Sequence, residues 1–142
     1  MNIDLETPSK PGTAIAWRIS LPIQEVISIT SCRCQVALIG TYAIMNIYAP
    51  SGSESKQERH LVYSQDVFNA MSLFPHHSYV LRGDFNSILN PIDVEDGKGF
   101  NQKFCLPLKD LILGFDLVDA FRLKFHEKKS THSSDLVRLP LV

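Results

Sequence analysis

The residues best suited to chemistry lie in one short segment, Gly83-Asp84-Phe85-Asn86, which follows an apolar run typical of a β-strand, Ser78–Arg82. Glycine allows a tight turn, and Asp84 and Asn86 are two positions apart, so they are predicted to project on the same side. A carboxylate there can take a proton from water or hold it near a metal ion, while the amide orients a nucleophile or a substrate oxygen. The same four residues are also ordinary turn formers, so a purely structural role stays open.

A second candidate segment is NIYAPSG, residues 46–52. Tyr48 is predicted to be the last residue of a strand, because Pro50 cannot donate to a strand ladder and Gly52 favours a turn. At a strand end the Tyr48 hydroxyl can reach a site on the rim of the sheet. The alternative is a half-buried packing tyrosine with its hydroxyl in water.

The elements that must position these residues are strands in the first third of the chain. Alternation predicts strands over 12–18 and 25–30. Two apolar-rich runs, 35–39 and 42–48, are joined at Gly40-Thr41, which predicts an antiparallel hairpin.

Helices are predicted farther along the chain. Ser55 and Glu58 form a capping box, which opens a helix that Pro75 ends. Its apolar residues are predicted to lie near one face, namely Leu61, Phe68 and Met71, with Val67 and Phe74 beside them. A second helix is predicted over 101–113, with Pro107 as a kink or a late start and Gly114 as its C-cap. Strands followed by alternating helix and strand indicate a mixed α/β class.

Composition limits the possible functions. The chain has 142 residues, 44% of them hydrophobic, and a net charge of -1, so a globular fold is predicted and a strongly basic nucleic-acid binder is excluded. No apolar run is long enough to span a membrane. The three cysteines, Cys32, Cys34 and Cys105, do not form a disulfide pattern. The close pair could bind zinc, but small strand residues are the favoured interpretation. An intracellular location, nuclear or cytoplasmic, is expected.

Several segments together resemble the endonuclease/exonuclease/phosphatase superfamily. The order GTAIAWR, NIYAPSG, SESKQER, LRGDFNSILNPID and LVDAFRL is most similar to the apurinic-type endonuclease domain of non-LTR (LINE-like) retrotransposons. The similarity runs from Gly12 to about Phe121. It divides the chain into a disordered lead-in, residues 1–11, and a partial domain of this family, residues 12–142.

The resemblance implies an α/β fold, here part of a four-layer α/β/β/α sandwich, and Mg²⁺-dependent hydrolysis of a DNA phosphodiester. Asp84 resembles the aspartate that activates or positions the attacking water, and it is also a candidate metal ligand. Asn86 resembles the partner that aligns Asp84 and the phosphate, and Tyr48 resembles the tyrosine that contacts the phosphate. Ser51 stands where many relatives have an asparagine that binds the phosphate. A phosphomonoester or lipid phosphodiester is an alternative substrate within the same superfamily.

Other family elements are missing from the sequence. A metal-binding glutamate should lie on an upstream strand, and neither Asp4, Glu6 nor Glu25 has the right context. Residues 133–139 look like an altered copy of a later strand, with Val137 in place of an aspartate. The final Ser-Asp-His element is not found, and we interpret His126 and His132 as solvated rather than catalytic.

These departures lead us to expect a domain truncated at both ends and catalytically impaired. The alternative is a non-catalytic DNA-binding or protein-interaction remnant. The basic segment Arg122–Lys129 could contact the DNA backbone, although a solvated surface stretch is the favoured interpretation.

Overall fold

The fold was obtained as a computed structural model that describes residues 12–29, 32–94, 105–128 and 136–138. The predicted lead-in 1–11, His132 and residues 133–135 lie outside the described residues.

The described residues contain six strands, namely β1 Glu25–Ser28, β2 Cys34–Ile39, β3 Tyr42–Tyr48, β4 Ser78–Asp84, β5 Val118–Asp119 and β6 Leu136–Val137. These strands form one sheet in the order β1-β2-β3-β4-β6-β5. Only β3 and β4 pair in parallel, and every other neighbouring pair is antiparallel. β6 lies beside β4, so the predicted late strand that contains Val137 does join the sheet.

The hairpin predicted at Gly40-Thr41 is confirmed. Strands β2 and β3 pair from Cys34 opposite Ile47 to Ile39 opposite Tyr42. Gly40 has φ of 57°, the left-handed conformation that glycine adopts most readily. β3 then leads through a helix into β4, and this long crossover is what a parallel pair requires.

One continuous helical run makes the crossover, and its middle is a π-helix. It consists of α1 Lys56–Leu61, the π segment Val62–Val67 and α2 Phe68–Leu73. Ser55 is the N-cap as predicted, although its side chain makes no capping hydrogen bond. The helix packs on one face of the sheet, and the shared core includes Val36, Met45, Ile47, Val62, Tyr63, Val67, Met71, Tyr79 and Leu81.

The predicted buried face of this helix was partly wrong. Val67 and Met71 are buried, but Leu61 and Phe68 are exposed at 42% and 48%. Two polar residues, Arg59 and Tyr63, are buried instead. A search for apolar spacing leaves out both of them, and the i→i+5 turns of the π segment depart from the 3.6-residue period that it assumes.

Two further predictions need correction. Residues 12–18 were expected to form a strand, yet they have no regular structure. Isolated contacts hold them instead, from the Thr13 N–H to the Cys32 carbonyl at 3.1 Å and from Asn46 Nδ2 to the Ala14 carbonyl at 2.9 Å. The second helix was expected over 101–113, with Pro107 as a kink or a late start, and residues 101–104 lie outside the described residues. Helix α3 is Leu106–Gly114 with Pro107 in its first turn, which confirms the late start, but its C-cap is Phe115 rather than Gly114.

The mixed α/β class is confirmed, with α4, Ala120–Lys124, completing the described helices. Within the described ranges, no helix has the length and apolar character needed to cross a bilayer.

Candidate active site

Tyr48 and Asp84 end adjacent strands and lie side by side. They are direct partners in the parallel register of β3 and β4, so their side chains leave the same face of the sheet. This is the face opposite the helices, because the alternate residues Ile47 and Met45 are in the core. Tyr48 is half-buried and Asp84 is exposed. The register therefore places a phenol and a carboxylate side by side at the C-terminal ends of the two central strands, both open to solvent.

Gly83 allows β4 to run this close to β3. It has φ of 133°, and a β-carbon built there would overlap the Ile47 carbonyl oxygen. Glycine has no β-carbon, so it can adopt both this conformation and this approach. Glycine was predicted from the sequence as a turn former, and its place in the structure shows a second requirement, namely contact between two backbones.

Asn86 links the two strand ends. Its backbone has φ of 43°, a left-handed conformation that asparagine tolerates better than most residues. Its backbone N–H donates to Asp84 Oδ1 at 3.0 Å, and its side-chain Nδ2 donates to the Ala49 carbonyl at 2.7 Å. The Ala49 N–H in turn donates to the Asp84 carbonyl at 2.8 Å. The backbone N–H of Asn86 thus orients the Asp84 carboxylate, and its side-chain amide joins the end of β4 to the loop after Tyr48.

Ser51 lies in that loop, three residues beyond Tyr48, and is exposed. Arg59, on α1, is only 8% exposed and donates from Nη1 to the Pro50 carbonyl. Both of its terminal nitrogens also reach the Gly52 carbonyl at 3.4 Å. Arg59 therefore holds the backbone on either side of Ser51.

Tyr63 holds the other loop, and sequence analysis did not identify it. Its hydroxyl donates to the Phe85 carbonyl and lies 3.2 Å from Ser87 Oγ. Burial raises the pKa of the Tyr63 phenol well above its ordinary value, with the charge of Asp84 as a smaller contribution, so it stays a proton donor. A polar residue among apolar neighbours on a helix was the only available signal.

Arg33 packs beneath Tyr48. Its guanidinium carbon lies 5.6 Å from the centre of the Tyr48 ring, and its Nη2 is 2.6 Å from Glu58 Oε1. The Tyr48 N–H donates to the Arg33 carbonyl at 2.8 Å. A cation over the face of an aromatic ring is attractive, so Arg33 limits where the Tyr48 ring can lie.

The donor set for a metal ion is incomplete. Asp84 supplies a carboxylate and Asn86 an amide oxygen, and Mg²⁺ is usually bound by one or two carboxylates together with substrate phosphates. Across the described part of the chain, no three His, Cys, Asp or Glu side chains form a group that could hold a metal ion. The described residues can therefore give a Mg²⁺ ion at most two such ligands, and the rest of its coordination shell would come from substrate phosphate and water.

The cysteines do not behave as metal ligands. Cys34 is fully buried on β2, and burial, helped by the charge of Asp66, raises the pKa of its thiol from 9.0 to about 12. A thiol of this kind stays protonated at neutral pH, whereas zinc binds the thiolate. Among the described residues, which include all three cysteines, no disulfide is formed.

The basic segment is less solvated than predicted. Arg122 Nη2 contacts both carboxylate oxygens of Asp93, at 2.7 and 2.9 Å, and its Nη1 donates to the carbonyls of His126 at 3.1 Å and Lys128 at 2.8 Å. The His126 side chain is exposed, as expected. The prediction of a solvated stretch was therefore wrong for Arg122, because its two terminal nitrogens donate to carbonyls and a carboxylate that only the folded chain brings together.

Comparison with known proteins identifies the fold. No protein-family model matches the chain, and no curated protein matches it. An AP endonuclease from Archaeoglobus fulgidus has a TM-score of 0.59 and 18% identity, over 76% of this chain and 53% of that one. The 3′-5′ exonuclease NExo from Neisseria meningitidis has a TM-score of 0.55 and 19% identity, over 74% and 52%.

A third structure is the 3′ phosphatase NExo from Neisseria bound to a product DNA hairpin, with a TM-score of 0.60 and 17% identity. The similarity covers 81% of this chain and 58% of that one. The chain thus spans about half the length of the nucleases that it matches. It has the fold of the endonuclease/exonuclease/phosphatase type of nuclease.

Proposed function

We propose that this chain is part of a metal-dependent DNA endonuclease domain of LINE-like retrotransposon origin. The supporting observation is that Tyr48, Asp84 and Asn86 lie together at the C-terminal ends of β3 and β4. The fold that places them there is shared with DNA-acting nucleases. The order of five sequence segments supports the retrotransposon branch. An intracellular location, nuclear or cytoplasmic, is consistent with three described cysteines that form no disulfide.

Each residue has a proposed role. Asp84 is exposed and can accept a proton from water, and Asn86 orients it through the backbone N–H. The Tyr48 hydroxyl donates to a non-bridging phosphate oxygen, and Ser51 is a weaker contact from the neighbouring loop. Phosphodiester hydrolysis depends on positioning and on charge stabilisation, so a carboxylate, an amide and a phenol are a suitable set.

We also propose that the 142 residues alone are catalytically impaired. Mg²⁺ is implied by the resemblance, but the described side chains that surround Asp84 form an incomplete donor set. Loss of one positioned acid–base group typically lowers the rate by ~10²–10⁴. DNA binding needs fewer groups than hydrolysis, so we expect it to persist.

Binding can be measured by the fluorescence anisotropy of a labelled duplex oligonucleotide at several salt concentrations. We expect an affinity that falls as salt rises, and a roughly threefold to tenfold weaker affinity for Tyr48→Phe, the range for one hydrogen bond. Tyr42→Phe is the matched control, because Tyr42 lies on the same strand and face, at its other end, and is exposed. Equal losses for both variants, or binding that ignores salt, would contradict the proposed site.

Catalysis can be measured by the nicking of supercoiled plasmid in Mg²⁺. We expect the unsubstituted chain and Asp84→Ala to give the same background. Nicking that requires Asp84 would disprove the impairment and establish the nuclease activity. DNA binding without nicking would favour the alternative, a non-catalytic DNA-binding remnant.

A further inference from the structure

One helical run contacts both loops of the candidate site from behind the sheet. Arg59 and Tyr63 are four residues apart on this run, so they lie on the same side of it. Both are buried, at 8% and 1% exposure, and each directs its polar atoms at loop backbone. Arg59 contacts the loop after β3, and Tyr63 contacts the loop after β4.

The two contacts act on elements that already touch each other. Asn86 Nδ2 bonds to the Ala49 carbonyl, and the Ala49 N–H bonds to the Asp84 carbonyl. Arg59 binds the carbonyls of Pro50 and Gly52, which follow Ala49. Tyr63 binds the carbonyl of Phe85, which lies between Asp84 and Asn86. Hydrogen bonds therefore join the helix to each of the two loops, and they also join the two loops to each other.

Simple stabilisation does not explain these residues well. A buried guanidinium loses its hydration, and an apolar side chain would fill the same space without that loss. A tyrosine hydroxyl aimed at a single carbonyl imposes one direction on it. Both features indicate that Arg59 and Tyr63 fix the geometry of the loops rather than raise the free energy of unfolding.

We propose that Arg59 and Tyr63 are positioning residues that fix the loops 49–52 and 84–87 relative to each other, so that Tyr48, Asp84 and Asn86 face one phosphate. The role of these hydrogen bonds in presenting the three side chains to a phosphate rests on the proposed function, whereas the hydrogen bonds themselves do not. Neither residue touches the substrate. In a reaction governed by placement, a shift of about 1 Å can cost roughly 10²-fold.

The test uses Tyr63→Phe in the full chain labelled with ¹⁵N. We expect the side-chain and backbone amide signals of Asn86 to shift, because the Phe85 carbonyl loses its donor. Tyr79→Phe is the matched control. Tyr79 is also fully buried and donates from its hydroxyl to the carbonyls of Met71 and Phe74 at the end of α2, away from the loops. Its substitution should leave the Asn86 signals in place.

A second variant, Arg59→Lys, keeps the charge but cannot contact two carbonyls with one planar group. We expect it to shift the backbone amide signals of Ser51 and Ser53, whose N–H groups share a peptide with the Pro50 and Gly52 carbonyls. Unfolding by urea shows that each variant is folded. Asn86 signals that move equally in Tyr63→Phe and Tyr79→Phe would overturn the proposal, and signals that move only in Tyr63→Phe would support it.

Duplex DNA provides the functional readout. Tyr63→Phe should bind a labelled duplex roughly threefold to tenfold more weakly, while Tyr79→Phe binds as the unsubstituted chain does. If the unsubstituted chain binds no duplex, the proposed function fails. The Asn86 signals would still decide the positioning role, since they need no DNA.

Discussion

Arg122 binds both carboxylate oxygens of Asp93, 29 residues away in the chain. Asp93 belongs to the segment that follows Gly83-Asp84-Phe85-Asn86, and Arg122 begins the basic segment. Asp119 also caps α4 by accepting a hydrogen bond from the Arg122 N–H at 2.9 Å. This ion pair therefore ties the chain after the candidate site to the last described helix.

We expect Arg122→Lys to lower the free energy of unfolding by about 1–3 kcal/mol, the range for lost hydrogen bonds to a charged group. Lysine keeps the charge but cannot span the Asp93 carboxylate and the carbonyls of His126 and Lys128. Urea unfolding measures the change. Lys124→Arg, on the exposed part of the same helix, is the control. A loss below about 0.5 kcal/mol, which is the usual size of the effect of a surface substitution, would show that the ion pair contributes little to the free energy of unfolding.

Gly83→Ala should destabilise the protein by about 3 kcal/mol or more. Its φ of 133° is strained for any residue with a β-carbon, and the added carbon would push β4 away from Ile47. Gly114→Ala is the control, because Gly114 ends α3 and a β-carbon there meets no atom within 4 Å. That variant should be neutral or more stable by about 0.4–1 kcal/mol. Similar losses for both variants would show that the close approach of the two strands is unimportant.

Asn86→Asp should lower the free energy of unfolding by about 1–3 kcal/mol at pH 7. The new carboxylate has the shape of the amide, but it cannot donate to the Ala49 carbonyl and adds a charge beside Asp84. At low pH the protonated acid regains a donor, so the loss should shrink as pH falls towards 4. Asn69→Asp, on an exposed position of α2, is the comparison. A loss that does not change with pH would point to backbone strain instead of the missing donor.

Stability should fall in alkaline solution. The pKa of the Cys34 thiol is about 12 in the folded chain, against 9.0 as its ordinary value. The unfolded chain therefore releases this proton first, and the associated stability is complete below pH 9 and is lost as the pH rises from 9 towards 12. The slope is about 1.4 kcal/mol per pH unit for one proton.

Urea unfolding at pH 7, 9 and 10 tests this dependence, with Cys34→Ala as the matched variant. The variant should lose less stability between pH 9 and 10. The pKa values of Tyr63 and Tyr79 are also raised, both mainly by burial, and they add to the loss at higher pH. Identical slopes for the two proteins would contradict the role of Cys34.

Local patterns predicted the elements whose causes are local. The strand Tyr42–Tyr48 and its hairpin were predicted from two apolar-rich runs joined at Gly40-Thr41, and both are confirmed. The spacing of Asp84 and Asn86 predicted that they act together. The contact between them runs from the Asn86 backbone N–H to the Asp84 carboxylate, as in an ordinary turn, so their joint action stays a prediction. Their proximity to Tyr48 depends on a parallel pair formed across the intervening helix, which no local pattern specifies.

The remaining features depend on tertiary contacts. Residues 12–18 alternate like a strand, but only single hydrogen bonds reach them, so no ladder forms. Arg59 and Tyr63 are polar, so a helix face predicted from the 3.6-residue spacing of apolar residues does not include them. Their burial is explained by carbonyls in loops that are distant in sequence.

The π segment has a consequence for how this protein could change by insertion and deletion. A helix that contains π turns carries surplus residues within its length, so removing one residue from Val62–Val67 would leave a helix of ordinary α geometry. A π turn takes up one extra residue over nearly the same rotation as an α turn, so the flanking helices would keep nearly the same relative orientation. With α2 packed on the sheet, Arg59 would then still face the Pro50 carbonyl. The same deletion in a plain α-helix would turn the two halves by about 100°, the angle that one residue subtends. The π segment is therefore the place in this helix where the chain can lose one residue and keep the contact that holds the loop after β3.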